Sequence, residues 1–96
     1  MSERPIKIRL LEIFNDGKEY WNYEIVQMIF REYGMSGDYD RDLINFDLIE
    51  LASGGMLKDL EQKVDTEGIH KKNFLLHKYV ITDFGKEKAA PFCAAL

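Results

Sequence analysis

The sequence predicts one α+β domain, mostly helical, and three observations carry this prediction. Apolar residues recur at helical spacing in several stretches of the chain. Two later runs are typical of the strands of a hairpin, and the turn-forming residues 65–68 (Asp-Thr-Glu-Gly) separate them. The 96 residues are enough for one core, and no linker or repeat divides them. We therefore expect residues 1–96 to form a single domain in the order helix, short strand, helix, helix, hairpin, helix.

The first third of the chain predicts two helices with a short strand between them. Pro5 suits the first turn of a helix, whose apolar residues continue at helical spacing to Phe14. Residues 18–21 are partly aromatic and predict a brief strand. Asn22 is placed to be the N-cap of a second helix, and Gly34 is placed to end it. A turn at residues 35–37 then leads to the next helix.

Residues 38–57 predict the third helix, its end and the entry to the hairpin. Asp38 or Asp40 can cap this helix. Four residues at spacings of four, three and four are expected on its inward side: Ile44, Leu48, Leu51 and Gly55. Gly54 and Gly55 supply a left-handed stop, and the next two residues return the chain to an extended form.

The hairpin is predicted from Leu57–Val64 and residues 74–81. Alternate residues of the second run are expected to share a face: Leu75, His77, Tyr79 and Ile81 on one side, and Phe74, Leu76, Lys78 and Val80 on the other. Thr82 is placed to cap a last helix through Ala90, and Pro91 is expected to stop that helix. An apolar tail, residues 92–96, follows.

The composition indicates a cytoplasmic globular protein. The formal net charge of −4 counts against broad nonspecific binding to nucleic acid, although it leaves room for a local basic stripe. No apolar run approaches the roughly 18 residues that span a bilayer, and the first residues lack the cleavage pattern of a signal peptide. One cysteine, Cys93, excludes an internal disulfide and fits a reducing cytosol.

Three segments resemble the winged helix-turn-helix superfamily, in which a hairpin called the wing follows two helices joined by a short turn. Residues 22–25 (NYEI) resemble the start of the second helix in phenolic-acid-repressor-like proteins. Residues 48–57 (LIELASGGML) are similar to the usual helix end and strand entry, and residues 79–85 (YVITDFG), with Ala89 beyond them, to the usual exit from the wing. The general pattern resembles small archaeal regulators of the PadR and MarR type. The resemblance implies a dimer that binds duplex DNA, with the third helix in the major groove and the wing on the backbone.

The face of the third helix opposite its buried stripe presents the candidate DNA-reading residues. Arg41, Asp42 and Asn45 are expected to probe the major groove, where arginine and asparagine are common partners of base edges. Residues 36–52 nevertheless contain five acids and one base, which is unfavourable beside phosphates. Phe46 and Ile49 on the same face fit either a thymine methyl contact or a hydrophobic patch for a protein partner. Both interpretations stay open.

The predicted wing carries a cluster of basic residues. Residues 69–78 contain two histidines and three lysines and no acid. His70, Lys71, Lys72 and Lys78 are therefore expected to hold phosphates, on the backbone or along a narrow minor groove. The alternative is an edge strand that lysines protect against aggregation.

No residue pattern indicates an enzyme, a cofactor or a metal. Residues 38–42 hold three aspartates at the spacing that begins a calcium loop, but Leu43 stands where glycine is required and Ile49 where glutamate is required. The aromatic cluster at residues 20–23 is expected to pack the second helix onto the wing. No set of polar residues in the sequence supports an effector pocket there.

The leading hypothesis is a cytoplasmic transcription regulator that binds duplex DNA. We expect it to be a homodimer through its first and last helices, with residues 92–96 as a seam. The alternative is a protein-interaction module in which Phe46, Ile49 and the surrounding acids bind a basic partner. Two features separate these hypotheses: the sign of the charge over the third helix, and an exposed apolar patch on it.

Overall fold

A computed structural model describes residues 5–93, and the side chains of residues 5–91. Its class is α+β, as predicted, with four helices and one antiparallel sheet in the described part of the chain. The elements are α1 (Ile6–Phe14), β1 (Tyr20–Trp21), α2 (Asn22–Tyr33), α3 (Gly37–Ser53), β2 (Leu57–Val64), β3 (Leu75–Ile81) and α4 (Asp83–Cys93). None of the helices within residues 5–93 is long and apolar enough to cross a membrane.

The sheet has three strands in the order β1-β3-β2, so the last strand in sequence lies in the middle. Tyr20 pairs with Tyr79 on one side of β3, and Leu57 pairs with Ile81 on the other. The pairing of β2 shifts by one residue at Leu60, which bulges between its neighbours. The brief strand and the hairpin are therefore confirmed, and the first strand is shorter than predicted.

The core lies between the sheet and the four helices. Its buried residues from the helices are Leu10, Leu11, Phe14, Ile25, Val26, Ile29, Ile44, Leu48, Leu51 and Ala89, and from the strands Leu57, Tyr79 and Ile81. The inward stripe predicted for α3 is thus confirmed at its three apolar positions. Gly55, the fourth predicted member, is exposed beyond the helix end, so that assignment is wrong.

The start of α2 differs from the prediction. Trp21 is the N-cap, and its backbone N–H donates to the Glu24 carboxylate at 2.9 Å. Asn22 is already helical and its side chain is buried, because it bonds to residues distant in the sequence. The end of the helix is as predicted, since Gly34 adopts the left-handed conformation at φ +66°.

Both ends of α3 also differ from the prediction. The helix begins at Gly37 with Ser36 as N-cap, and Asp40 instead accepts the Ser36 N–H at 3.1 Å from inside the helix. Gly54 has φ −81° and is not left-handed. Gly55 alone, at φ +82°, turns the chain, and the Met56 N–H closes the helix by donating to the carbonyl of residue 51 at 2.9 Å.

The last helix is capped as predicted but runs further. The Thr82 hydroxyl accepts the Gly85 N–H at 2.9 Å. The helix continues through Pro91 to Cys93, so the predicted stop is wrong. A proline in the last turn removes only the single hydrogen bond that its missing N–H would donate, and the helix is near its end in any case.

Candidate functional site

Strand β3 separates two concave surfaces. The first, called the groove, lies between the outer face of α3 and the hairpin and has a volume of about 440 Å³. Its lining residues are Asn22, Asp42, Asn45, Phe46, Ile49, Phe74, Leu75, His77 and Tyr79. The second, called the cleft, lies between α2 and residues 65–74, which form the hairpin loop, and has a volume of about 290 Å³. Leu76 lines the cleft from the opposite face of β3, in agreement with the predicted alternation. Phe74, which was predicted to share the face of Leu76, precedes β3 and lines both surfaces.

The groove is apolar and open to solvent. Phe46 is 55% exposed and Ile49 is 49% exposed, and Leu75 of β3 faces them across the groove. Tyr79 is buried at its base, and this burial raises the pKa of its phenol to about 12. The phenol is therefore neutral at physiological pH, so it adds no charge to the groove. Large apolar side chains exposed side by side are typical of a binding surface.

A chain of polar contacts fixes the groove. The Asn22 amide nitrogen donates to Asn45 Oδ1 at 3.2 Å, and Asn22 Oδ1 accepts the backbone N–H of His77 at 3.3 Å. The His77 ring is in turn bonded to Asp59, with 2.7 Å between Nδ1 and Oδ2. These contacts join α2, α3, β3 and β2, so the groove is formed before any partner binds. Asn45, predicted to read bases, is half-buried and engaged in this chain.

The exposed side of α3 is acidic, and its one arginine is occupied. Asp42 is exposed at the edge of the groove, and the Asp38 side chain is 73% exposed. The Arg41 side chain is only 21% exposed: its Nη2 lies 2.8 Å from Asp38 Oδ1, and its guanidinium lies 5.4 Å from the centre of the Phe74 ring. The base contacts predicted for Arg41 and Asp42 stay predictions, and the local charge does not favour them.

The hairpin loop is folded around one carboxylate. Asp65 is buried and accepts backbone N–H groups from Ile69, His70 and Lys71 at 3.0, 2.7 and 2.8 Å. These backbone donors, with that of His70 first, lower the pKa of the Asp65 carboxyl, so it is ionised at neutral pH. Asn73 completes the loop with φ +65°. The basic side chains of the loop are therefore presented by a defined backbone.

Two adjacent lysines of the loop have different surroundings. Lys71 is half-buried, with Nζ 4.8 Å from the centre of the Phe74 ring and 3.9 Å from Asp38 Oδ2. Lys72 is exposed and forms no ion pair with the part of the chain that the structure describes. Of the predicted phosphate contacts, Lys72 is thus the one most open to an external anion.

The other two predicted phosphate contacts pack on the aromatic cluster. The His70 ring stacks on Tyr23 with 3.9 Å between ring centres, and Tyr23 stacks on Trp21 at 5.9 Å. Lys78 Nζ lies 3.1 Å from Glu19 and 5.9 Å from the centre of the Trp21 ring. The cluster therefore joins the start of α2 to the hairpin, as predicted. His70 and Lys78, which were expected to contact DNA phosphates, pack against this cluster instead.

Sequence reasoning missed the residues that organise the site. Asn22, Asp59 and His77 meet through contacts across 18 to 55 residues of sequence, and no local pattern signals them. Asp65 did have a signal, because an aspartate that opens a glycine-containing turn commonly accepts backbone N–H groups further along the turn.

Comparison with known proteins gives no match: no family model, no curated protein and no solved structure is similar to this chain.

Proposed function

We propose that this chain is a protein-interaction module whose groove binds a partner segment with basic and apolar side chains. The observation that carries the proposal is the half-exposed pair Phe46 and Ile49 beside exposed carboxylates on α3. Apolar side chains at this exposure gain free energy when a partner covers them, about 25 cal/mol per Å² of apolar surface. Such a buried apolar centre is the usual source of affinity at protein interfaces.

The charge around the groove supports a basic partner. Asp42 lies at its α3 edge, and Asp59 lies beside His77 where the groove continues toward the end of α3. Residues 36–52 carry five acids and one base, and that base is already paired within the helix. A lysine or arginine of a partner would meet complementary charge here, whereas a DNA phosphate would be repelled.

We also propose that the fold is a winged helix-turn-helix, in which α2 and α3 are the paired helices and the β2–β3 hairpin is the wing. The order of elements supports this arrangement, since only residues 34–36 join α2 to α3 and the hairpin follows α3. In this arrangement the groove lies between the third helix and the wing.

Selection of random linear peptides on the immobilised protein tests the proposed function. We expect enrichment of peptides in which lysine or arginine flanks leucine, isoleucine or phenylalanine. Phe46→Ser should weaken the selected peptides at least about tenfold, because it removes an apolar contact from the centre of the groove. Their affinity, measured by fluorescence anisotropy, should also fall as salt rises.

Tyr39→Ser is the matched control for this experiment. Tyr39 lies on the same helix and is 79% exposed, but it does not line the groove. Its substitution should leave peptide affinity within about twofold of wild type, as expected for a residue outside the centre of an interface. Selected peptides without basic residues, or equal losses in the two variants, would contradict the proposed groove partner.

A second candidate function is duplex DNA binding through the hairpin loop. Lys72 is exposed on a loop that Asp65 holds in place, and residues 69–74 contain no acid. In this mode of DNA binding the loop would contact the phosphates, and α3 would not enter the major groove.

The double variant Lys71→Ala/Lys72→Ala tests the DNA candidate by anisotropy at about 50 and 200 mM salt. We expect weaker binding and a slope of log K against log salt that is shallower by about one to two. The matched control is Lys58→Ala/Lys86→Ala, which removes equal charge at exposed positions away from the loop. The DNA candidate fails for the isolated protein if no duplex binds at the lower salt.

The homodimer through the first and last helices stays a prediction. Helices α1 and α4 contact each other within the protomer, which leaves their outer faces as the candidate seam. The predicted tail contact lies outside the described residues, because side chains are described only to residue 91. A cytoplasmic location and the lack of enzymatic activity also stay predictions.

A further inference from the structure

The cleft has a charge opposite to that of the groove. Its lining includes Arg41, His70 and Lys71 and no carboxylate, in a chain whose net charge is −4. By contrast, the groove and its continuation are lined by Asp42 and Asp59. Two concave surfaces on opposite faces of β3 therefore suit different ligands.

The cleft combines these basic groups with apolar walls. Val26 and Phe30 of α2 form one wall, and Leu76 of β3 forms the other. Its volume of about 290 Å³ is at the small end of the range of small-molecule sites. A site of this kind, apolar with a few converging polar groups, selects a compact molecule with one charged end.

The Arg41 guanidinium is paired with Asp38, but its hydrogen bonds are incomplete. Its Nε and Nη2 are buried and have no aligned hydrogen-bond acceptor, although Nη2 lies 2.8 Å from Oδ1 of the exposed Asp38 and Nε lies 4.0 Å from Oδ1 of Asp42. The Phe74 ring lies over this guanidinium. Buried N–H donors without an aligned acceptor are unfavourable, and a carboxylate is the ligand group that matches the paired N–H donors of a guanidinium.

We propose that the cleft binds a small monocarboxylate with a compact apolar body. The carboxylate takes the place of Asp38 on Arg41 and Lys71, and the Phe74 ring moves aside to admit it. The apolar body lies between Val26, Phe30 and Leu76. Ile69, His70 and Lys71 belong to the hairpin loop, so the bound ligand would contact both this loop and α2. The proposed protein partner binds on the other face of β3. Asn22, Asn45 and Phe74 line both surfaces, so a ligand that displaces the Phe74 ring also changes one wall of the groove.

Titration of the isotope-labelled protein with cyclohexanecarboxylate, followed by amide NMR shifts, tests the proposal. We expect saturable shifts at Val26, Leu76 and residues 69–71 by about 10 mM ligand. Cyclohexylmethanol, which has the same body without the charge, should bind at least about tenfold more weakly. Arg41→Gln and Lys71→Gln should each weaken the carboxylate several-fold while the NMR spectrum remains that of the folded protein.

Lys72→Gln is the matched control, since it removes the same charge from the neighbouring exposed position. The Lys72→Gln protein should bind cyclohexanecarboxylate with the same affinity as wild type. The proposal is overturned if the alcohol binds as well as the carboxylate, or if Lys72→Gln weakens binding as much as Lys71→Gln. It is equally overturned if the cleft residues show no saturable shift. The peptide selection, with Phe46→Ser and Tyr39→Ser, tests the groove by a separate measurement.

Discussion

Replacing Gly85 with alanine is expected to lower the free energy of unfolding by about 3 kcal/mol, or the Tm by roughly 10–20 °C in a domain of this size. Gly85 is buried in the first turn of α4, where the helix meets the entry to β2. A Cβ at this position would overlap the carbonyl oxygen of Met56 and lie 2.7 Å from Cγ1 of Ile81. The obstruction includes backbone, so a side-chain rotation does not relieve it.

The obstructing carbonyl is also held in place. Met56 O accepts the backbone N–H of Thr82 at 3.0 Å, and the Thr82 hydroxyl is shared between Gly55 O at 2.6 Å and Met56 O at 3.1 Å. The same hydroxyl accepts the Gly85 N–H and so caps α4. Moving the carbonyl to admit a methyl group would therefore disturb both the strand entry and the helix cap. Alanine favours a helix by about 1 kcal/mol over glycine, which offsets only part of this loss.

Gly54→Ala is the matched control for Gly85→Ala. Gly54 is exposed and has φ −81°, and the nearest atom to an added Cβ is the terminal methyl of Met56 at 3.3 Å, which can rotate away. Its stability should stay within about 1 kcal/mol of wild type. Thermal and urea unfolding followed by circular dichroism would measure both variants. A Gly85→Ala protein that melts within about 2 °C of wild type would show that α4 does not approach β2 so closely.

The elements that local pattern determines were predicted well. Ile44, Leu48 and Leu51 follow helical spacing, and the structure buries all three. Gly34 ends its helix in the left-handed conformation, which a side chain would strain. These features depend on residues within a few positions of each other, so the sequence displays them directly.

The errors arose where contacts distant in sequence decide the outcome. Asn22 fits a cap by local rules, but Asn45 and His77 use its side chain instead. Lys78 counted as a free cation in the sequence, yet Glu19 meets it across the paired strands. The number of charged residues in the sequence predicts that α3 is acidic, but it does not predict which lysines and arginines are left without an ion-pair partner inside the protein. The contrast between groove and cleft therefore could not be predicted.

The adjacent substitutions Leu48→Ala and Ile49→Ala are expected to have opposite effects, and they test the proposed site directly. Leu48 is fully buried in the core, whereas Ile49 is half-exposed in the groove. Leu48→Ala should lower the free energy of unfolding by about 2–5 kcal/mol, because the surrounding core cannot close the cavity it leaves. Ile49→Ala should lower it by less than about 1 kcal/mol, since solvent already reaches that side chain.

The order should reverse for partner binding. Ile49→Ala should weaken a peptide selected on the groove several-fold, because it removes apolar surface that the peptide covers. Leu48→Ala, measured where it is still folded, should bind that peptide nearly as wild type does. Urea unfolding gives the stability of each variant, and fluorescence anisotropy gives its peptide affinity.

If Ile49→Ala lost stability without losing affinity, the outer face of α3 would be part of the core and not a binding surface. A loss of both in the same variant would mean that the groove and the core are not separate. Opposite orders in the two measurements are expected only if one helix uses one face for folding and the adjacent face for recognition.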